Sequence, residues 1–402
     1  MVNIIALNNY PIYPPITGGR LRIYYLLKYL SRYYPTKIYT IGNYLEKRGN
    51  RIIINSTIRK HKINDFEEFV FPEGLLNYLM KFILCWKLDI IDIDVLMSYR
   101  YPKTLANYLI DDLIKRDALI LLEHPYLSTM LKKINMRTNI IYDAHNVEYL
   151  LKKQIATESN KIWLDRVYEV EKYACEISDA IFVTSNEDKE AFVELYGIPE
   201  DKLFVIPNGV DLDSLKVNID KEFAKKIFGL EGMTIAIFIG SGHKPNVEAA
   251  EFIVHDLALK LDNIYFLIVG EVCKYVSKPF TKNVKLLGIV DNETKNLALK
   301  ASDIALNPVI TGSGTNVKML EYMAMGLPIV STPIGARGLE VENWRHLIIT
   351  ERKNFSNVIK CLLANEDLYK HISKNCVNVV REKYDWKIIS KKALKVIRGL
   401  FE

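Results

Sequence analysis

The strongest constraint on the fold is a repeated alternation of short aliphatic and β-branched runs with longer amphipathic stretches. This alternation is typical of parallel sheets covered by helices. Seven strands are predicted in the first half, at 3–9, 37–42, 95–99, 118–123, 139–144, 180–185 and 203–208. Helices are predicted between them, at 20–32, 102–115, 149–177 and 187–195.

The pattern restarts after "PNGVDLD" (207–213), whose Pro, Asn and Gly end a strand and begin a linker. A helix is predicted at 245–261, a helical tail at 352–402, and strands at 235–241, 264–271, 283–289, 304–309, 328–332 and 346–350. The sequence therefore predicts an α/β protein with two Rossmann-like, doubly wound parallel-sheet domains, 1–206 and 207–384, followed by the segment 385–402. We expect the domains to face a central cleft, with ligands at the carboxyl ends of the strands.

Composition excludes several classes of protein. A chain of 402 residues with 49% hydrophobic and 25% charged residues is globular and long enough for two cores. We expect no signal peptide, because residues 1–19 hold no Lys or Arg, and no transmembrane helix, because the best candidate, 74–87, is short and contains Lys81. Five cysteines without a CxxC motif are expected to be reduced thiols of a cytosolic protein, with no zinc site.

Positive charge is concentrated near the N-terminus. Residues 1–62 hold eleven Lys or Arg against one acid, Glu46, with nine tyrosines among them. This pattern fits a surface that meets anionic lipid headgroups or a phosphorylated acceptor, and it equally fits a solvated helix face. We do not expect nucleic acid as a partner, because no recognition motif accompanies the charge.

Two segments of the first half carry candidate site residues. Gly18 and Gly19 open a helix after the first strand, where exposed backbone amides suit an anion or another polar ligand. The segment "YDAHNVE" (142–148) places His145 and Glu148 directly after a strand. We interpret His145 as a site residue. The alternative, in which Asn146 caps a helix and Glu148 favours its dipole, leaves the histidine unexplained.

In the second half, "GSGHKPNVEAA" (240–250) follows a strand with a Gly-x-Gly turn and a helix begun at Pro245. It lacks the third glycine of a dinucleotide-binding fingerprint. Backbone donors near Gly240 and Ser241, together with the charge of Lys244, would hold a phosphate at this helix start.

The segment "GSGTNVKMLEYMAMGLPIVST" (312–332) joins a glycine-spaced loop to a helix that carries Lys318 and Glu321 three residues apart. The two are either a surface ion pair or two polar contacts to one ligand. Their apolar neighbours predict a largely buried helix. In the second interpretation, helix amides and Lys318 meet a diphosphate, and Glu321 accepts both hydroxyls of a ribose.

Two Asp-x-Asp triplets, Asp92/Asp94 and Asp211/Asp213, are of a type that holds Mg²⁺ or Mn²⁺ in some nucleotide-sugar enzymes. One precedes a predicted strand and the other lies in the predicted linker. We therefore interpret both as chance occurrences and expect no metal site.

The motifs "YDAHNVE", "PNGVD", "GSGHKPNVEAA" and "GSGTNVKMLEYMAMGLPIVST" resemble those of family 4 (group 1) of the retaining glycosyltransferases, which have the GT-B fold. The resemblance extends from the Gly18-Gly19 loop to the final "YDWKIISKKAL" helix. It implies that the C-terminal domain holds a nucleotide-sugar donor, that the N-terminal domain holds the acceptor, and that 385–402 crosses back to the N-terminal domain.

The resemblance also implies roles for residues of the donor site. Glu321 matches the second glutamate of a Glu-x7-Glu signature, which binds the donor ribose, and Lys318 with the Gly312–Thr315 loop, including Gly314 and Thr315, matches the diphosphate and sugar end. The segment 287–293, which includes Val290, matches the region whose main chain holds the base. Ser313 stands where that signature has its first glutamate; some branches of the family carry this Gly-x-Gly-Thr-x-x-Lys version.

In the first domain, His145 matches a histidine near the transferred sugar, and Gly18-Gly19 a loop close to the reacting centre. The expected activity is metal-independent transfer of a hexose, without a cofactor, from a nucleotide sugar to a saccharide or lipid-linked acceptor. We expect a cytoplasmic enzyme, peripheral on the cytoplasmic face of a membrane if the basic segment meets anionic lipid. The alternatives are a non-hydrolysing sugar-nucleotide epimerase and a catalytically silent nucleotide-sugar-binding subunit.

Overall fold

The computed structural model describes residues 2–48, 51–87, 93–134, 138–278, 280–312 and 314–401. The chain divides into two compact units. Unit 1 comprises Met1–Pro207 and Ser390–Glu402, and unit 2 comprises Asn208–Ile389.

The strands described in unit 1 are β1 (Asn3–Asn8), β2 (Thr36–Gly42), β3 (Leu45–Arg48), β4 (Arg51–Ile54), β5 (Arg59–Ile63), β6 (Phe66–Pro72), β7 (Ala118–Leu122), β8 (Asn139–Asp143), β9 (Ala180–Val183) and β10 (Leu203–Val205). Its helices are α1 (Gly18–Leu30), α2 (Leu75–Lys87), α3 (Lys103–Lys115), α4 (Ser128–Ile134), α5 (Glu148–Ile155), α6 (Ile162–Ile177) and α7 (Asn186–Tyr196).

Eight of these strands form one sheet in the order β10-β9-β8-β7-β1-β2-β6-β5. Every neighbouring pair is parallel except β5 with β6, and β3 and β4 form a separate antiparallel hairpin. Ile4, Ile5, Ala6 and Leu7 of β1 are all buried, as a strand covered on both faces requires. The strand order reverses at β1, so this part of the carboxyl edge is where a ligand is expected.

The predicted elements of the first half differ from the structure in three places. The strand predicted at 95–99 is wrong, because Ile93–Ser98 is a 3₁₀ helix. The helix predicted at 149–177 is interrupted between α5 and α6, where Asn160 Oδ1 accepts a hydrogen bond from the Thr157 amide (2.7 Å), a local bond that competes with helix formation. The antiparallel pair β5–β6 and the hairpin were not predicted, since β5 is mostly polar and only half-buried.

The strands of unit 2 are β11 (Thr234–Ile239), β12 (Ile264–Val269), β13 (Val284–Gly288), β14 (Ile304–Asn307), β15 (Ile329–Ser331) and β16 (Ile348–Ile349). Its helices are α8 (Lys221–Ile227), α9 (Lys244–Phe252), α10 (Ala258–Lys260), α11 (Asn292–Ala301), α12 (Val317–Ala324), α13 (Pro333–Ala336), α14 (Phe355–Ala364) and α15 (Glu366–Val379). The last helix, α16 (Trp386–Gly399), begins in unit 2, and its residues from Ser390 belong to unit 1.

The sheet of unit 2 is parallel throughout, in the order β13-β12-β11-β14-β15-β16. Alternate residues of β11 serve two cores: Ile235 and Ile237 lie in one hydrophobic cluster, and Ala236 and Phe238 in the other. The order reverses between β11 and β14, which marks the carboxyl ends of these two strands as the expected ligand position.

The helices predicted in the second half are confirmed, and two of them contain π-helical turns. The helix predicted at 245–261 is α9 and α10 joined by a π-helical turn, Ile253–Leu257. The helical tail is confirmed, with a second π-helical turn at Val380–Tyr384. Among the described residues, no helix combines the length and apolar content that crossing a bilayer requires. The four cysteines whose side chains are described are free thiols.

Candidate functional site

Two groups of polar side chains lie at the carboxyl edges of the two sheets. In unit 1 they follow three neighbouring strands, β1, β7 and β8, which end at Asn8, Leu122 and Asp143. We call this group the unit 1 network and define it as Tyr10, Arg22, Glu123, His124, Asp143, His145 and Glu148.

The anchor of the unit 1 network is a buried ion pair between α1 and β8. Arg22 Nε donates to both carboxylate oxygens of Asp143 (3.1 and 3.0 Å), and Arg22 Nη1 donates to the Ile206 carbonyl (2.8 Å). Burial alone would raise the pKa of Asp143, but the Arg22 guanidinium and His145 hold it well below its usual range. Asp143 is therefore an ionised acceptor at neutral pH.

His145 lies beside this carboxylate. Its Nε2 is 3.1 Å from Glu123 Oε2 and 3.6 Å from Asp143 Oδ2. Burial, with a contribution from His124, lowers the pKa of His145 to about 4, so the ring is neutral at pH 7. Because an ionised Asp143 can only accept, we assign the ring hydrogen to Nε2, which leaves Nδ1 as an acceptor.

The Nδ1 atom of His145 is buried and has no hydrogen-bond partner among the described residues. A Cβ atom added at Gly19 would lie 3.4 Å from it, so this acceptor adjoins the Gly18-Gly19 loop. Glu123 Oε1 and both amide atoms of Asn9 are also buried and unpartnered within the described part of the chain. Because unpaired buried polar atoms are costly, a hydroxyl-rich ligand would satisfy this group.

Glu123 lies at the same place. Burial and the charge of Asp143 raise the pKa of Glu123 well above its ordinary value, which favours the protonated carboxyl group. The unit 1 network thus pairs an ionised Asp143 with a neutral histidine and a buried acid. It can both donate to hydroxyl groups and accept from them.

A second histidine, His124, completes the network. Its Nε2 is 3.0 Å from Tyr10 Oη, its Nδ1 is 3.6 Å from Glu148 Oε1, and its ring centroid is 4.4 Å from that of His145. Burial would raise the pKa of Glu148, but His124 and Lys152 hold it at about 2. Sequence reasoning missed Glu123 and His124. The signal was present, because Glu123 ends the strand predicted at 118–123 and His124 follows it, and this strand lies next to β8 in the sheet.

The start of α5 corrects one alternative from the sequence. The helix begins at Glu148 and its N-cap is Val147, with no side-chain cap, so the interpretation of Asn146 as a helix cap is wrong. Glu148 instead accepts a hydrogen bond from Tyr126 Oη (2.9 Å).

Glu123, Asp143 and His145 place potential ligand atoms within 4.8 Å of one another, close enough to hold a metal ion. They do not fit one well, because an added cation would adjoin the Arg22 guanidinium that already neutralises Asp143. Of the Asp-x-Asp triplets, Asp92 lies outside the described residues and Asp94 is in a 3₁₀ helix rather than before a strand. Asp213 pairs with Lys216 and Lys387.

In unit 2 the polar group lies after β11 and β14 and on α12. Lys318 Nζ donates to Asn246 Oδ1 (2.7 Å) and lies 4.3 Å from the centre of the Phe238 ring. Asn246 Nδ2 in turn donates to Ser241 Oγ (2.9 Å). Burial lowers the pKa of Lys318 to about 7, so this lysine is close to half-protonated at neutral pH. We call Ser241, Asn246, Lys318 and Glu321 the unit 2 site.

Glu321 accepts a hydrogen bond from Lys295 Nζ (2.6 Å), and its side chain is only 16% exposed. Lys318 and Glu321 therefore have separate partners, and the interpretation of the two as a surface ion pair is wrong. Lys295 and Asn246 were not predicted as site residues. Asn246 lies in the motif that sequence analysis singled out, whereas Lys295 reaches Glu321 only through the packing of α11 near α12.

The loop before α12 has the backbone that its glycines allow. Gly312 and Gly314 have φ angles of 129° and 68°, which disfavour other residues. Thr315 Oγ1 lies 3.5 Å from the Gly338 carbonyl. Ser313 lies outside the described residues. No acidic residue occupies the first turn of α12, so its free amides and Lys318 give this end of the helix a positive potential.

Three other predicted donor residues follow strands β11 and β13 of the same sheet. Gly240, after β11, is buried and its amide donates to the Val269 carbonyl (2.9 Å). Lys244 is 87% exposed, lies 3.9 Å from Glu248 and takes no part in the Lys318–Asn246 hydrogen bond. Val290 lies between β13 and α11 and packs partly against the core.

Two sequence-family profiles match the chain. One, described as Glycosyltransferase Family 4, matches residues 36–214, and the other, described as Glycosyl transferases group 1, matches residues 234–365. The two matches together cover most of unit 1 and most of unit 2.

Several curated proteins similar to the chain are named as glycosyltransferases. UDP-Gal:alpha-D-GlcNAc-diphosphoundecaprenol alpha-1,3-galactosyltransferase of Escherichia coli is 27% identical over 60% of this chain and 64% of that enzyme. Phosphatidyl-myo-inositol mannosyltransferase of Mycobacterium leprae is 26% identical over 48% of this chain and 52% of that enzyme. An uncharacterized glycosyltransferase of Methanocaldococcus jannaschii is 23% identical over 100% of this chain and 98% of its own length.

Solved structures of other proteins have the same fold as this chain. Sucrose-phosphate synthase from Thermosynechococcus elongatus has a TM-score of 0.73 at 17% identity, over 99% of both chains. HepE of Anabaena, in complex with UDP and glucose, has a TM-score of 0.72 at 14% identity, over 99% of this chain and 100% of its own.

Proposed function

The chain is a glycosyltransferase with the GT-B fold, of the group 1 and family 4 type, and from this premise we propose the reaction that it catalyses. It transfers a hexose from a nucleoside-diphosphate sugar to a lipid-linked or saccharide acceptor. The anomeric configuration of the sugar is retained, and neither a metal ion nor a cofactor takes part.

The observation that carries the proposal is the unit 2 site. Lys318 is held by Asn246 beside a helix start that is free of acids, and Glu321 lies three residues further along the same helix. The donor diphosphate binds the amides of this helix start and Lys318. The ribose binds Glu321, and the main chain of 287–293 holds the base. The Anabaena structure of this fold, which holds UDP and glucose, supports this class of donor.

The acceptor is assigned to unit 1. The unpartnered acceptor and donor atoms of His145, Glu123 and Asn9 suit the hydroxyl groups of a sugar. The names of two relatives, which act on an undecaprenol diphosphate and on phosphatidyl-myo-inositol, favour a lipid-linked acceptor over a free saccharide. The reaction accordingly takes place in the cytoplasm, at the face of the membrane.

Catalysis depends on stabilising the charges that develop as the donor breaks down. When the glycosidic bond to the nucleotide breaks, negative charge develops on the leaving diphosphate and positive charge on the sugar ring. A protonated Lys318 and the amides of α12 stabilise the leaving group in a partly dry site, where such contacts are strong. His145, being neutral, contributes a hydrogen-bond acceptor rather than a charge.

The test is an assay of nucleoside diphosphate release from a panel of nucleotide sugars, with and without a lipid extract as acceptor. Release that requires the extract is expected for the native chain and is expected to be lost in Lys318→Ala. The exposed Lys282→Ala is the matched control and should keep full activity. Donor isomerised without acceptor would point to an epimerase, and donor binding without turnover to a silent subunit; either outcome would overturn the proposal.

A further inference from the structure

Helix α2 exposes a set of apolar side chains to solvent. Five of its apolar residues, Leu75, Leu76, Leu79, Met80 and Ile83, are between 40% and 60% exposed. Their spacing of i, i+1, i+4, i+5 and i+8 places them on one stripe of the helix. A helix on the surface of a globular unit ordinarily turns such a stripe toward the core, and here it faces outward.

On the other side of α2, the residues whose side chains are described are polar or aromatic. Asn77 is buried, Lys81 Nζ pairs with Glu73 Oε2 (2.5 Å), and Tyr78 packs against Tyr44 with ring centroids 5.7 Å apart. The Tyr44 amide also donates to the other oxygen of Glu73 (3.0 Å). These polar contacts fix the rotation of the helix about its axis, so the exposure of its apolar stripe is built into the fold.

The exposed apolar surface continues on both sides of the helix. Tyr44 precedes the β3–β4 hairpin, where Ile52 and Ile54 are 72% and 58% exposed. On the other side, a cavity of about 290 Å³ has predominantly apolar walls. Its lining residues are Asn77, Met80, Lys81, Leu96, Met97, Tyr99, Arg100 and Trp163. Apolar surface of this extent on a monomer usually marks a partner or a membrane.

Cations adjoin this surface. Arg100 is exposed and its Nη1 lies 3.5 Å from Met80 Sδ, and Lys103 is exposed at the start of α3. Apolar side chains at the centre and Lys, Arg and Tyr at the margin match the headgroup region of an anionic bilayer.

We propose that α2 and the β3–β4 hairpin form a membrane-docking surface for a bilayer that contains anionic lipids. The helix lies in the plane of the interface with its apolar stripe among the acyl chains. The cavity beside Met80 accommodates a lipid chain. This inference rests on the proposed function in one respect: docking brings unit 1 to the lipid-linked acceptor.

A second copy of the chain fits the surface less well. A symmetric contact through the same stripe would bring the cations of two copies together, and like charges at an interface cost several kcal/mol. Anionic headgroups neutralise the same cations. The charge pattern therefore favours lipid over self-association.

The experiment is flotation of the full chain with vesicles of phosphatidylcholine alone or with 30% phosphatidylglycerol. We expect binding to the anionic vesicles that falls steeply between low and high salt. Leu76→Glu with Leu79→Glu should reduce the bound fraction at least tenfold. Ile114→Glu, at an apolar residue of α3 that is 69% exposed, is the matched control and should bind like the native chain.

Three results would overturn the inference: no binding to anionic vesicles at low salt, equal binding by the double variant, or dimers of the native chain that dissociate in the double variant. Release of nucleoside diphosphate is measured in parallel, with the nucleotide sugar as donor and a water-soluble acceptor. The double variant should keep this release, so a failure of membrane docking is distinguished from a failure of the proposed enzyme activity.

Discussion

Residues at the carboxyl edges of the two sheets carry the functional argument. The sequence alone made His145, Lys318 and Glu321 candidates, because His145 follows a strand and the other two are charged residues on a largely apolar helix. It was not sufficient to identify their partners. Glu123 lies 22 positions from His145, and Lys295 lies 26 positions from Glu321. Arg22 lies 121 positions from Asp143, which adjoins His145, and such separations become contacts only through the tertiary fold.

Gly19 leaves room for the unit 1 network. A Cβ atom there would lie 2.8 Å from Tyr10 Oη and 3.4 Å from His145 Nδ1. Gly19→Ala should therefore push Tyr10 away from His124 and crowd the His145 acceptor. We expect kcat/KM for transfer to fall at least about tenfold, with a change in stability below about 1 kcal/mol.

The matched control for that variant is Gly399→Ala, where an added Cβ meets no atom within 4 Å. It should leave both activity and stability unchanged. Full activity of Gly19→Ala would show that the open space beside His145 is not used by a substrate.

Lys318 should take up a proton when the donor binds. Its pKa of about 7 in the free protein would rise beside a diphosphate, which favours the charged form. Calorimetry in buffers of different ionisation enthalpy should detect uptake approaching one proton at pH 8 and little at pH 6. Donor affinity should weaken as the pH rises above 7, by up to about tenfold per unit.

Lys318→Met removes the titrating group and should abolish both the proton uptake and the pH dependence while lowering affinity. The diphosphate of a nucleotide sugar does not titrate in this range, so it adds no uptake of its own. Uptake that persists in Lys318→Met would assign the proton to another group.

Elements were predicted best where both faces of a strand are buried. Most parallel strands of the two sheets appear in the sequence as aliphatic runs, since a covered strand must be apolar on both sides. The exception is β6, which pairs in parallel with β2 but carries two glutamates and was not predicted. The polar edge strand β5, the hairpin and the 3₁₀ helix Ile93–Ser98 lack that signal. The orientation of α2 was also unpredictable, because the same apolar stripe would suit a helix that buries it.

A buried ion pair between Arg22 and Asp143 joins α1 to β8. Arg22→Met would leave Asp143 buried without its cation, and we expect a loss of about 3–5 kcal/mol in the free energy of unfolding, measured by denaturant titration. Arg32→Met, at an exposed arginine just after the same helix, is the control and should change stability by less than about 0.5 kcal/mol.

The ion pair between Arg22 and Asp143 also makes the stability of the folded chain depend on pH. The pKa of Asp143 is held below its unfolded value, so its stabilising contribution is present near neutrality and is lost as the pH falls through the folded value. The native chain should therefore lose stability in acid, and Arg22→Met should lose less. An equal acid sensitivity of the two proteins would contradict this assignment of the Asp143 charge.

We propose that the two units of the molecule divide recognition, with the nucleotide bound by unit 2 and the acceptor by unit 1. Amide hydrogen exchange with a bound nucleoside diphosphate should show protection in 240–246, 287–293 and 311–321. The segments 118–124 and 142–149 of unit 1 should change little. Protection confined to the unit 1 segments would contradict the division.

The central claim is that Lys318 and Glu321 hold the two ends of one nucleotide, and the affinity of Glu321→Ala for the donor tests it most directly. Loss of a charged acceptor to the ribose hydroxyls should cost about 1.5–3 kcal/mol, or roughly ten- to a hundredfold in Kd by calorimetry. Glu231→Ala, at an exposed acid between α8 and β11, should bind the donor like the native chain. With the fold intact by thermal melting, an unchanged Kd for Glu321→Ala would contradict the account.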